Sequence, residues 1–424
     1  MNRNRMDTHQ KLTIGLFGFG VVGEGLYKVM QQTPSLNASI KKVCIKNAGK
    51  KRNAPASLFT TDRSVLLNDP EINVIVEVIN ESGPAFEIVS TALKNGKAIV
   101  SASKKMIAEH LQEILDLQIK YDQPFLYESA ACASIPVIRN LEEYYDNDLL
   151  HSMRAIVNGS TNFILTKMFE DKLDFKQALV LAQQMGFAEA DPSLDVEGFD
   201  AVNKWTFLLT HAYGIVGKPG DIVFTGIQNI QAGDAAVAKE KNFQIKLVAQ
   251  AKKLNNGKVA AFVLPQFVKS DDPLAFVKNE FNGVVIESGF ADNQFFYGKG
   301  AGSFPTASAV LSDISALRYH YRYEYKKLYH HNPHQLSNDI YVKVYVSFDD
   351  WKFVPREKFE WIEEWHAESD RKYLVGVMPF AELKENSWWK ENNTSLILAP
   401  EPIIEDIEIR KLKKKSLELA GILD

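Results

Sequence analysis

Cysteine is almost missing from this chain. Its 424 residues hold two, Cys44 and Cys132, at no paired spacing; this excludes a disulfide framework and fits a reducing, cytoplasmic compartment. No apolar run reaches the roughly 18 residues of a membrane span, and residues 1–10 are too polar for a signal peptide, so they are expected to form a disordered tail. Histidine is scarce, and neither a HExxH pattern nor Cys/His clusters at zinc spacing occur, which argues against a catalytic transition metal. Neither charge sign dominates: 49 basic and 53 acidic residues give a formal net charge of −4. The only basic clusters, Lys46–Arg52 and Arg410–Lys415, are too small for a nucleic-acid partner.

At the N-terminus, the apolar run Lys11–Phe17 leads directly into Gly18-Phe19-Gly20-Val21-Val22-Gly23, and Glu24–Gln32 has a helical pattern. Strand, glycine turn and helix in this order are the dinucleotide-binding arrangement. The first glycine makes the turn, the second lets a pyrophosphate approach backbone, the third lets helix and strand pack closely, and the helix N-terminus faces the phosphates. A second strand is expected at Ile40–Ile45. Where an NAD site would offer an acid after that strand, this chain offers Lys46, Asn47, Lys50, Lys51 and Arg52. Lys46 and Arg52 suit a 2′-phosphate, so NADP(H) is expected over NAD(H). Further apolar runs at 74–78, 98–100 and 124–127 continue the alternation of a doubly wound parallel sheet.

Residues 187–204 set five carboxylates, Glu189, Asp191, Asp195, Glu197 and Asp200, ahead of a single base, Lys204. A solvated helix intersperses both signs, so the cluster implies either water-screened surroundings or an ammonium-bearing ligand beside a functional lysine. Lys204 lies one helical turn after Asp200 on an apolar helix expected to end near Gly214. It reads equally as a structural ion-pair partner or a catalytic amine. Lys104 follows the strand at 98–100, at the carboxyl end of the sheet where ligands bind, and it or Lys105 is expected to face the cleft.

Five segments in order, Gly18–Gly23, Ser101–Ala108, Asn158–Met168, Gly186–Lys204 and Gly298–Asp313, resemble homoserine dehydrogenase over residues 11–320. The resemblance implies reversible NAD(P)-dependent interconversion of L-homoserine and L-aspartate 4-semialdehyde, on the route to threonine and methionine, by a monofunctional chain without an aspartate kinase region. It implies proton transfer by Lys104 and Lys204, substrate binding by Gly159, Ser160, Glu189, Asp195 and Asp200, and cofactor contacts from Ser103, Lys104 and Gly302 beside the glycine turn. It also implies a sodium ion held by the backbone carbonyls of Glu128, Ala131, Ala133 and Ile135. Family members often have a glycine run in that loop, replaced here by Ser129-Ala130-Ala131-Cys132-Ala133-Ser134, which restricts φ. Phe187 stands where a tyrosine is common, and Ser101-Ala102-Ser103-Lys104 where Thr-Ala-Asn-Lys is.

The expected organisation is an α/β chain: a Rossmann-type doubly wound domain at 11–140, completed by 301–325; a substrate and dimerisation α+β domain at 141–300; a linker at 325–338; and a small C-terminal α+β domain at 338–424. In that last region strands are expected at 340–348, 372–378 and 395–399, with helices at 357–368 and 405–420, an order only loosely like the ligand-sensing ACT domain. Trp361, Trp365, Trp388 and Trp389 are read as packing or interface residues. A homodimer is expected to form through 245–268, whose alternation about Asn255-Asn256-Gly257 reads as a hairpin. Two other readings stand beside this one: a semialdehyde dehydrogenase acylating Cys132, and a catalytically silent NADP-binding sensor.

Overall fold

A computed structural model describes residues 11–147, 149–367 and 372–410. The tail at 1–10 and most of the helix expected at 405–420 lie outside these residues; the described part of that helix, 406–410, is helical. Contacts divide the chain into two units: Met1–Asp148 with Asn203–Pro219 and Tyr297–Pro333, and Leu149–Val202 with Gly220–Phe296 and His334–Asp424. No helix among the described residues is long and apolar enough to cross a membrane.

The first unit is built on β1 (Leu12–Phe17), β2 (Ala38–Cys44), β3 (Phe59–Thr60), β4 (Val74–Glu77), β5 (Ala98–Ser101) and β6 (Phe125–Leu126). They are parallel and ordered β3-β2-β1-β4-β5-β6. Covered on both faces, the central strands need continuous apolar runs, which is why β4 is buried throughout. Strand order reverses between β1 and β4, the switch point where open α/β sheets bind ligands. The turn after β1 lies there.

The segment read as a linker is in part core. Tyr323, Tyr325 and Lys327 are buried, and the Tyr323 ring packs edge-on against Tyr127 at 5.1 Å. Tyrosines alternate at 321, 323 and 325 along an irregular segment, and Tyr323 and Tyr325 fill the unit's interior. The polar residues between them suggested a solvated loop.

The second unit carries a ten-stranded sheet: β7 (Leu150–Ile156), β8 (Val223–Phe224), β9 (Phe243–Lys253), β10 (Val259–Lys269), β11 (Phe281–Ser288), β12 (Asp292–Lys299), β13 (Tyr341–Phe348), β14 (Trp361–His366), β15 (Lys372–Pro379) and β16 (Ser395–Ile404). β9 and β10 form the expected antiparallel hairpin, paired from Val259↔Lys253 to Lys269↔Phe243, with Gly257 at φ +79° in its turn. The C-terminal strands run β16-β13-β15-β14, the 4-1-3-2 order of a βαββαβ unit. They continue the sheet of the preceding residues through β10 and share its core: Phe262 and Leu264 of β10 pack in one cluster with Val344, Leu374 and Leu398.

The crossover layers of this C-terminal part are much reduced. Between β13 and β14 lie only 3₁₀ turns, at Trp351–Phe353 and Arg356–Lys358, and between β15 and β16 a five-residue helix, Ala381–Glu385, and one more turn. The helix expected at 357–368 is replaced by β14, antiparallel to β15. Its glutamates suggested a helix, yet strand pairing places Glu363 against Lys343 and Glu364 beside Lys241, so tertiary partners override propensity. Trp389 is core, with Nε1 donating to the Leu383 and Asn386 carbonyls, whereas Trp365 is 66% exposed.

At the end of β4 the Glu77 carboxylate is fully buried and accepts from Ser101 Oγ at 2.6 Å and Ile79 N at 2.7 Å. Burial outweighs these donors and raises it from 4.5 to about 7. The folded chain therefore keeps a proton that the unfolded chain releases. That contribution to stability is complete below the ordinary value and is lost as pH rises through about 7, by roughly 3 kcal/mol. Glu77→Gln is expected to flatten the fall in thermal midpoint between about pH 5 and 8. Equal slopes in both proteins would refute the assignment.

Candidate active site

The turn between β1 and helix Val21–Gln31 is fixed by steric contact. Gly18 has φ +99°, and a Cβ on Gly23 would lie 2.3 Å from the Gly18 carbonyl, so neither position accepts a side chain without displacement. Gly20 has open space where its side chain would be, leaving backbone bare at the helix N-terminus, as a pyrophosphate requires. Phe19 points inward against Tyr27 and Phe59, while Val21, the first helical residue, is exposed. The helix begins at Val21, three residues before the sequence pattern suggested. Val22 occupies its second position. Gly302, at φ +115°, starts helix Ser303–Leu317, whose Ser303 Oγ donates to the Val21 carbonyl at 2.8 Å.

The basic loop after β2 is less free than its sequence suggests. Lys46 pairs with Glu81 at 2.7 Å, so the reading that no acid competes there is corrected: the acid comes from the loop after β4. Arg52 folds back to donate to the Asn47 and Lys50 carbonyls at 2.7 Å each and lies over the Phe59 ring. Ile45, Ala48, Lys50, Arg52, Phe59 and Thr60 line a cavity of about 460 Å³ beside this loop.

Both lysines belong to the first unit. Lys104 opens helix Lys104–Tyr121 and is exposed, and Ser103 before it is buried. Ser101 Oγ, which donates to Glu77, accepts from Ser103 N at 3.1 Å, so the buried acid of β4 shapes the approach to Lys104. Lys204 is buried on helix Phe199–Tyr213. Two turns on, His211 anchors that helix. Its Nδ1 lies 2.5 Å from Glu142 Oε1, and its Nε2 lies 2.6 Å from the Tyr127 hydroxyl, which receives a 3.2 Å bond from Tyr325. Glu142 Oε2 accepts from the backbone N–H groups of Glu324 and Tyr325. Burial pushes Glu142 up, but the His211 charge and hydrogen bond hold it below the usual carboxylate range. Nothing in the sequence signalled this cluster, since its partners lie 69 to 198 residues apart.

In the second unit Asn158 organises the acids. Its Oδ1 accepts from Thr161 N at 2.8 Å, capping helix Gly159–Glu170, while its Nδ2 donates to Asp195 Oδ1 at 2.7 Å and Asp200 Oδ2 at 2.8 Å. Asn158 escaped the sequence reading as a site residue, although Asn directly before a helical run is a cap signal. Ser160 Oγ donates to the Phe187 carbonyl at 2.5 Å, and Phe187 packs on Phe163 at 4.8 Å. Glu189 is exposed in the loop that follows. Asp191 stands apart, accepting from Ser193 N and Oγ.

The loop after Tyr127 holds Glu128 buried, its carboxylate accepting from Ile138 N and Arg139 N at 2.8 and 2.9 Å. Burial, reinforced by the charge of Asp313, pushes Glu128 up. Ala133 adopts φ +43°, ψ −102° between Cys132, whose carbonyl accepts from Ile135 N at 3.0 Å, and Ser134. This is a type II′ turn with alanine where glycine is preferred. The Ile135 carbonyl accepts from Val137 N. Cys132 is fully buried and in no disulfide, which argues against an acylating nucleophile. Among the described residues no three His, Cys, Asp or Glu side chains gather as a metal site.

Two family models match, the homoserine dehydrogenase NAD-binding domain over residues 18–128 and the homoserine dehydrogenase model over 136–315. Homoserine dehydrogenase of Bacillus subtilis is 35% identical over 315 residues, spanning 72% of each chain. The chain belongs to the homoserine dehydrogenase family. Its Synechocystis relative is 37% identical over 311 residues, covering 71% of this chain and 72% of the relative. The crystal structure of a homoserine dehydrogenase from Thiobacillus denitrificans superposes with TM-score 0.79 at 25% identity, over 92% of this chain and 98% of that one. A hyperthermophilic archaeal homoserine dehydrogenase in complex with NADPH gives 0.63 at 27% identity, over 74% of this chain and 99% of that one. As a member of this family with its nucleotide-binding domain, the chain is an NAD(P)-dependent oxidoreductase.

Ala133→Gly is expected to stabilise the protein by about 1 kcal/mol, because glycine takes the positive φ without Cβ strain and its greater unfolded freedom offsets only part of the gain. Urea unfolding measures this, and a destabilised variant would place the strain elsewhere.

Proposed function

We propose that the chain catalyses the reversible oxidation of L-homoserine to L-aspartate 4-semialdehyde, with NADP(H) preferred over NAD(H). The observation that carries this reading is the sharing of one amide, that of Asn158, by Asp195 and Asp200. It sets two carboxylates side by side at the opening of the helix that bears Lys204, a locus complementary to an amino acid's ammonium group. In this reading Glu189 and Asp195 hold the substrate's amino end, Gly159 and Ser160 cradle it, and Asp200 steadies the helix one turn before Lys204. Lys104 and Lys204 move the hydroxyl proton as the hydride leaves the same carbon.

The residues present fit a dinucleotide. Gly18 to Gly23 would seat the pyrophosphate, Lys46 and Arg52 the 2′-phosphate, and Ser103, Lys104 and Gly302 the remainder of the cofactor, which supplies the hydride acceptor when bound. Lys46 would leave Glu81 to hold that phosphate. A sodium ion would sit on the carbonyls of Glu128, Ala131, Ala133 and Ile135; the positive φ of Ala133 supports this, since alanine there adopts a turn that glycine favours. The protein acts in the cytoplasm, in the pathway to threonine and methionine, as a homodimer joined through the β9–β10 hairpin.

Turnover of homoserine by the purified protein, followed by nicotinamide reduction, tests the reading; no turnover with either cofactor would end it in favour of a silent sensor. Lys204→Ala and Lys104→Ala are each expected to lower kcat by about a hundredfold or more in a folded protein, the scale of lost acid–base assistance. Near-normal kcat would remove that residue from the chemistry. Glu189→Gln is expected chiefly to raise KM for homoserine.

Lys46→Asp is expected to erase or invert the preference for NADP(H), measured as kcat/KM with both cofactors at fixed ionic strength. A wild-type preference for NAD(H) would show the basic loop to be solvated surface.

A further inference from the structure

Lys246 lies in the middle of an apolar strand, β9, and is 2% exposed. Burying an ammonium costs far more than burying leucine or methionine, so its donors must meet a structural need. Its Nζ donates to the Val277 carbonyl at 2.6 Å and to Asn162 Oδ1 at 3.1 Å. Two charged groups act on it, Glu170 from the helix Gly159–Glu170 and Lys278 from the loop above. They pair with each other at 2.6 Å. Burial dominates and brings Lys246 down to about 7, with Glu170 opposing and Lys278 assisting.

Asn162 is what the lysine orients. With Oδ1 on the ammonium, Nδ2 must face the other way, and it meets the carbonyls of Val277, Asn279 and Phe281 at 3.1, 2.9 and 3.3 Å. A turned amide would set its oxygen against three carbonyl oxygens, so the lysine fixes the one workable orientation. Thr166, one turn along, adds a further tie by accepting from Asn279 N at 3.1 Å. The loop 277–281 is thereby pinned to the helix. Its Glu280 carbonyl lies 2.6 Å from where a Cβ of Gly159 would be, so the loop's position limits where the Gly159–Ser160 turn can sit.

We infer that Lys246 is a positioning residue for substrate binding: through Asn162 it locks the 277–281 loop against Gly159 and so sets the turn that receives the amino-acid end of the substrate. This rests on the reading of Gly159 and Ser160 as the substrate turn. Lys246 touches neither substrate nor cofactor and acts only through the loop.

The test is a double-mutant cycle on the full chain, using L-homoserine and NADP+, with wild-type turnover measured first. Absence of wild-type turnover defeats the functional reading itself, whereas the variants bear on Lys246 alone. Lys246→Met is expected to raise KM for homoserine about tenfold or more while KM for NADP+ stays within about twofold and kcat falls less than KM rises. Asn162→Ala should do the same, and the double variant should be no worse than the poorer single, because both act through one loop. Unchanged KM in Lys246→Met, additive effects in the cycle, or an equal loss of affinity for both substrates would each overturn the proposal. If Lys246→Met does not fold, Thr166→Ala carries the same test, since it releases Asn279 without stranding a charge: a selective rise in KM for homoserine supports the inference, and no rise overturns it.

Discussion

A single side chain, the amide of Asn158, joins local structure to chemistry in the second unit. Its oxygen caps the start of a helix and its nitrogen holds two acids, Asp195 and Asp200, that come from a different part of the chain. Like charges brought together repel, and the amide's donors offset part of that cost. Any shift of the helix N-terminus therefore moves both carboxylates, and the packing around it is correspondingly unforgiving: Glu280 from one side, Phe187 from the other. Of the acid run in the sequence, Asp195 and Asp200 belong to this bond set, whereas Asp191 binds Ser193 and Glu189 is exposed.

The nucleotide-binding unit solves a different problem with a similar economy. It buries Glu77, Glu128, Glu142, Asp313 and several tyrosines, which is costly unless each finds donors. Glu77 finds Ser101 and Ile79 N, Glu142 finds His211 and two backbone N–H groups, and Asp313 takes Arg139 at 2.7 Å. These pairings fix three segments of the unit: the turn before Lys104, the helix of Lys204, and the loop from Tyr127 to Ile135. Polar burial here supplies orientation, and the parallel sheet beneath supplies the bulk of the apolar core.

What could be read from the sequence divides along physical lines. The glycine turn was legible because its constraint is local: Gly18 turns the chain at positive φ and Gly23 packs on the Gly18 carbonyl, while Gly20 leaves its backbone bare. The β9–β10 hairpin was legible for the same reason. The strand at Trp361–His366 was not: β15 follows it closely in the chain, but its ion partners Lys241 and Lys343 come from elsewhere, and the glutamates taken alone favour a helix. The buried tyrosine segment was hidden by the Arg and Glu residues that alternate with it. Glu81 was not legible as the partner of Lys46 because it lies 35 residues on, in the loop after β4. Lys246 and Asn158 look ordinary in one dimension, a lysine in an apolar run and an asparagine before a glycine; only their partners give them meaning.

The joint between the two halves of the large sheet has a consequence of its own. β10 meets β16 at a single registered pair, Gln266↔Leu398, so the C-terminal strands are fastened by side-chain packing of Phe262, Leu264, Val344 and Leu398 more than by a hydrogen-bonded ladder. A greasy seam tolerates slippage that a ladder forbids, because apolar contact is nondirectional and backbone pairing is not. A change of register among the terminal strands therefore costs less at this seam than it would along the β9–β10 ladder, where every residue of both strands is paired.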